Sequence, residues 1–146
     1  MKKILLSLIL TTLFGVSSIY SQLYQIEKKP QTETLLKLRG NTVWLEKTES
    51  RYWIVLPTSN RFDDSFLVLL GDGKEESIST IDQMINLIDN LQNDESITAM
   101  NAGRELSINK RSGMGSSVLY LQMDGYAGIA GIMKKELVKI RKKLTE

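Results

Sequence analysis

The sequence predicts an α+β two-layer sandwich, an antiparallel sheet of about five strands with two helices on one face. Three observations predict it. β-rich runs come in pairs across short polar turns, "TVWLEK" with "RYWIVLP" and "ELSINKR" with "SVLYLQ". The stretch after Thr80 repeats apolar residues at spacings of three and four, and so does the basic stretch after Ile129. Hairpins and amphipathic helices segregated this way build a sheet covered by helices.

The chain of 146 residues opens MKKILLSLILTTLFGVSSIYSQ, with Lys2 and Lys3 ahead of an apolar run from Ile4 to about Val16 and small or polar residues after it. That order marks a secretory signal peptide over residues 1–21, with cleavage expected after Ser21 or Ser18. The apolar run is shorter than the roughly 20 residues that cross a bilayer, so no stable membrane anchor is expected once the signal is cut. The expected location is exported, periplasmic or secreted. With no cysteine there is no disulfide framework and no acceptor for a lipid anchor, and the core alone must hold the fold.

Residues 22–41 carry Pro30, mixed charge and no sustained period, and read as an N-terminal tether. Residues 42–146 read as a single α+β domain. In it the hairpin of "TVWLEK" and "RYWIVLP" comes first, closed by Pro57. "SFLVLL" at 65–70 follows as a buried strand ended by Gly71-Asp72-Gly73. Thr80 and Gln83 have capping-box spacing, which places a helix start at Thr80 with Ile81, Met84, Ile85, Ile88 and Leu91 on its apolar stripe. "ITAM" reads as a short strand, and "SGMGS" turns the chain between the strands of a second hairpin.

Glycines at 125, 128 and 131 precede the last helix. Their spacing is G-x-x-G-x-x-G, not the G-x-G-x-x-G of a dinucleotide turn, and no room remains for the second strand of such a unit. They read as small residues that let the first turns of a helix approach another backbone, with Asp124 as N-cap. Ile132, Met133, Leu137, Ile140 and Leu144 continue as its core stripe. Sliding the chain by 52 residues lays "LVLLGDG" on "LYLQMDG", so a ββα pseudo-repeat is one reading. The plainer one is that any ββα unit punctuated by Asp-Gly looks alike.

Losing Lys2 and Lys3 with the signal leaves 17 basic and 17 acidic residues, which gives no general pull towards nucleic acid. The charge is divided, however. Phe62 to Glu95 holds nine acidic residues against Lys74, whereas Lys134 to Glu146 holds six basic against two acidic. Lys139, Lys142 and Lys143 are therefore candidate contacts for a protein partner.

Without histidine or cysteine the chain has no Ser-His or Cys-His nucleophile, no imidazole base and no ordinary structural zinc site. Ser107 and Lys110 spell S-x-x-K, but in a strand-like run that sends them to opposite faces. A small carboxylate glycosidase would draw on Asp63, Asp64, Asp72, Asp124, Glu75 or Glu76, and a calcium site on Asp72, Glu75 and Glu76. Both Asp-Gly pairs read more simply as turns. No catalytic residue, cofactor or metal is expected. The aromatic hairpin offers Trp44, with Tyr52 or Trp53, as a stacking platform. The expectation is thus an exported, non-enzymatic protein-interaction module, with a carbohydrate-binding module as the alternative and the glycosidase third.

Overall fold

Period-two alternation does what it predicts in the first hairpin. In a computed structural model that describes residues 31–59, 65–113 and 115–146, Val43–Thr48 (β2) pairs with Arg51–Leu56 (β3), setting Leu45 opposite Ile54 and Trp44 opposite Val55. Phe66–Asp72 (β4) then pairs with β3 and turns Phe66, Val68 and Leu70 inward. The expected signal peptide and Asp63-Asp64 lie outside the described residues.

A strand also forms inside the stretch read as a tether. Thr32–Leu38 (β1) pairs antiparallel with β2, and its register shifts between Thr34 and Leu36. One residue inserted at such a bulge breaks the period of two, which is why alternation did not reveal the strand. The turn that follows is left-handed at three successive residues, Arg39, Gly40 and Asn41, with φ of 46, 61 and 68°. Thr42 closes it by donating its hydroxyl to the Arg39 carbonyl at 2.7 Å.

Helix α1 spans Lys74–Asn90 and so starts earlier than the Thr80 capping box implies. Gly73 at φ 101° ends the strand, Glu75 and Glu76 sit in the first turn, and the Ser77 hydroxyl donates to the Gly73 carbonyl at 2.7 Å. Acidic residues there suit the positive end of the helix dipole. Ser77 is itself buried and extends the stripe of Ile81, Met84 and Ile88 by one turn. A polar residue in a core stripe carries no hydropathy signal.

The second half repeats the plan. Ser96–Asn101 (β5), Arg104–Gly113 (β6), Ser116–Met123 (β7) and Ala130–Met133 (β8) form an antiparallel meander, followed by helix α2, Lys134–Thr145. The fold is α+β, but the eight strands among the described residues form two four-stranded sheets, β1-β2-β3-β4 and β5-β6-β7-β8, where about five strands in one sheet were expected. The two strands the sequence left out are β1, hidden by its bulge, and β8, hidden among small residues. The repeating unit is four strands and a helix. The 52-residue echo lays β4 on β7, which is not the strand that enters the second helix.

The three glycines correct a further expectation, because none lies in a helix. Gly125 takes φ 82° in the turn after β7, Gly128 is buried in the loop and Gly131 is in β8, where Ala130 and Ile132 alternate inward. Each glycine inside a helix would cost about 1 kcal/mol relative to alanine, a penalty the strand and loop avoid. Close approach survives at Gly131, where a Cβ would meet Val118 Cγ1 at 3.2 Å and the Tyr120 ring at 3.6 Å.

One core joins both halves. Val43, Leu45, Ile54 and Phe66 from sheet 1, Leu119, Leu121 and Ile132 from sheet 2, and Ile81, Leu137 and Ile140 from the helices belong to a single buried cluster. Helix α1 lies against β4 and β7, α2 against β1 and β8, and the helices pack on each other. Among the described residues no helix is long and apolar enough to cross a membrane.

Candidate functional site

Alternation that buries Leu45 and Ile54 must send their neighbours outward. The outer face of sheet 1 therefore carries two cross-strand rows, Trp44 with Val55 and Leu67, and Glu46 with Trp53 and Leu69. Trp44 and Trp53 are diagonal neighbours on adjacent strands, within reach of each other's large rings. Both are half-buried. Leu67 is 38% exposed, while Val55 is only 2% exposed although it faces away from the core. The Trp44 indole donates to Glu46 Oε1 at 2.5 Å, which fixes the ring's azimuth.

Tyr52 belongs elsewhere. It faces the core side of sheet 1 at 5% exposure, with the Lys47 ammonium 5.7 Å from its ring centre. The structure thus sets Trp44 and Trp53 on one face of sheet 1 and Tyr52 on the other. Neighbours along a strand point to opposite faces, and the unbroken apolar run of β3 concealed which face each aromatic takes.

The charged helices meet each other. Arg141 Nε lies 2.6 Å from Asp82 Oδ1 and Lys134 Nζ 2.6 Å from Asp89 Oδ1, pairs whose order along the chain makes the helices antiparallel. The hydrogen bond from Arg141 chiefly holds the Asp82 carboxyl below the usual range, against the effect of burial and with the guanidinium charge adding to it. Arg141 is raised in turn by the same bond. Lys143 pairs with Glu146 at 3.0 Å and keeps that carboxyl low, first through the hydrogen bond and then through its charge. Lys139 and Lys142 are exposed and make no ion pair among the described residues.

Two of the carboxylates named for calcium or glycoside chemistry, Asp72 and Glu76, have structural partners. Asp72 pairs with Arg51 at 2.9 Å, and Glu76 accepts from the Asp72 amide at 2.7 Å. No group of three such ligating side chains occurs among the described residues. Lys110 reaches the Leu91 carbonyl at 2.6 Å, away from Ser107 on the other face of β6.

Two features escaped sequence reasoning. Glu136 is 4% exposed in the first turn of α2, where it accepts from the Met133 amide at 2.9 Å and from both Nε and Nη2 of Arg39. Arg39 also donates to the Gly131 carbonyl at 3.1 Å, so the left-handed β1–β2 turn is clamped to the second half of the molecule. The other feature is a cleft of about 560 Å³ between β4, α1, β5 and β6, with Asn101 in its lining. A lone asparagine closing a hairpin gives no sequence signal for either. Comparison with family models, curated proteins and solved structures finds no match to this chain.

Proposed function

We propose that the chain is an exported, non-enzymatic module that docks another protein on the outer face of sheet 1. In this reading the two sheets form one layer and the helix pair the other, leaving the sheet faces remote from the core free for a partner. The observation that carries it is that Trp44 and Trp53, diagonal to each other on adjacent strands, share a face that also holds Val55, Leu67 and Leu69. An antiparallel sheet with one solvated face ordinarily shows polar residues there. Sheet 2 follows that rule in the main, with Thr98, Ser107, Asn109 and Gln122 set around exposed Met100 and Tyr120. Sheet 1 does not. Tryptophan is enriched among residues that dominate binding energy, because a large rigid ring is desolvated at little entropic cost.

Exposed Lys139 and Lys142 would steer an acidic partner, a role that salt weakens. The basic surface is smaller than composition suggests, since Arg141, Lys134 and Lys143 are engaged within the molecule. A glycan is the second reading, favoured by the Trp44–Glu46 hydrogen bond, which presents the ring in one orientation for stacking.

Tagged wild-type protein and the Trp44→Ser/Trp53→Ser variant, both checked for unchanged melting, are to be compared by co-purification from the native host and on a glycan array. The expected result is a protein retained by the wild type and lost by the variant. Array binding that disappears with the same substitutions would transfer the proposal to the glycan. Equal retention by both proteins would remove the outer face from the account.

A further inference from the structure

Strands β4 and β5 are edges of their own sheets, and no backbone ladder joins them among the described residues. The link at Leu69 is a side chain. Asn101 Oδ1 accepts from the Leu69 amide at 3.0 Å, and Asn101 Nδ2 donates to the Leu69 carbonyl at 2.8 Å. Those are the two bonds that one residue of a neighbouring antiparallel strand exchanges with its partner. A primary amide is standing where a peptide group would stand. On the other side the halves already meet through backbone, with Thr58 bridging Ala130 and the Ser59 amide donating to the Ile129 carbonyl at 3.0 Å.

The cleft beside Asn101 has the lining for a strand. Met84 and Leu87 of α1 line it together with Leu69, Ile97 and Ala99 at the two edges, in a volume of about 560 Å³. Glu76 is its one ionisable lining residue among the described residues, so an acidic segment would be repelled and a neutral or basic one accepted. Edges of seven and six residues match a short extended segment.

We infer that this cleft holds an extended, alternately apolar and non-acidic peptide segment of the partner, added as a strand to β4 in place of the Asn101 amide. The inference rests on reading the chain as a partner-binding module and specifies how a segment of the partner is gripped. Backbone hydrogen bonds to the edge supply affinity, and alternate side chains entering the cleft supply selectivity.

A random dodecapeptide display library selected on the wild-type chain tests it. Enriched peptides should alternate apolar and polar residues and lack proline and acidic residues. Binding of the synthesised winner should weaken at least tenfold on Ala99→Trp, which fills the cleft from an exposed position, and equally on N-methylation of alternate peptide amides. The methylated peptide needs no altered protein, so the test survives even if Ala99→Trp folds poorly. Asn101→Ala should strengthen binding several-fold by removing the stand-in. The inference is overturned if no peptide is enriched, if binding survives both the tryptophan and N-methylation, or if Asn101→Ala instead yields dimers, which would make a second copy the occupant. Loss of native-partner binding on Trp44→Ser/Trp53→Ser but not on Ala99→Trp would overturn the cleft alone and leave the outer-face reading standing.

Discussion

At the residue scale the Arg39–Glu136 pair shows how one buried charge organises a junction. Glu136 is 5% exposed at its side chain and Arg39 34%, so the carboxylate depends on Arg39 and the Met133 amide for compensation. Arg39→Ala orphans it. The expected cost is about 3 kcal/mol, the low end for stranding a buried charge, because water can reach the emptied guanidinium site. Glu136→Gln on that background should restore part of the loss, since a neutral amide needs less compensation. Denaturant titration of the two variants checks the order. Gly71 makes a second residue-scale claim. A Cβ there would lie 2.6 Å from Glu76 Cγ, so Gly71→Ala should cost about 1–3 kcal/mol by overpacking the β4–α1 corner.

At the element scale the start of α1 separates two kinds of sequence signal. A capping box at Thr80 would make Thr80→Ala cost about 1 kcal/mol. With the helix running from Lys74, Thr80 is an interior residue and the expected change is within about 0.5 kcal/mol, read from thermal melting. Acid should loosen the contact between the helices. Asp82 has a depressed pKa in the folded chain, so its contribution is present above the unfolded carboxylate value and is lost as pH falls through the lowered one. Arg141 stays protonated throughout. Arg141→Gln should therefore flatten the acid limb of the stability profile. Alternation revealed β2 and the β6–β7 hairpin, unbroken apolar runs revealed β3 and β4, and three-four spacing revealed the stripe of α1 and, from Leu137 on, that of α2. β1 and β8 were illegible for opposite reasons, a bulge that broke the period and a strand of only four residues, AGIM, whose small members mimic a helix packing motif. Alternation sets Trp44 on the face of the polar Glu46 without saying whether the ring is exposed, whereas Tyr52 and Trp53 in an all-apolar run can be told apart only by register.

At the scale of the whole molecule, two meander-and-helix halves share one core and are tied by the Thr58–Ala130 bridge, the Asn101–Leu69 amide pair, the Arg39 clamp and the interhelical ion pairs. Neither half keeps its apolar face covered alone, so unfolding should be a single transition seen identically by far-ultraviolet dichroism and by tryptophan emission. That geometry also leaves the account its most direct probe. The chain contains two tryptophans, Trp44 and Trp53, and both lie on the outer face of sheet 1. Acrylamide quenching of their emission, measured on the free protein and on the complex with the co-purifying partner, reads that face without any substitution. Efficient quenching is expected in the free protein and a several-fold smaller quenching constant in the saturated complex. A quenching constant unchanged at saturation would contradict docking on the outer face and place the partner elsewhere on the molecule.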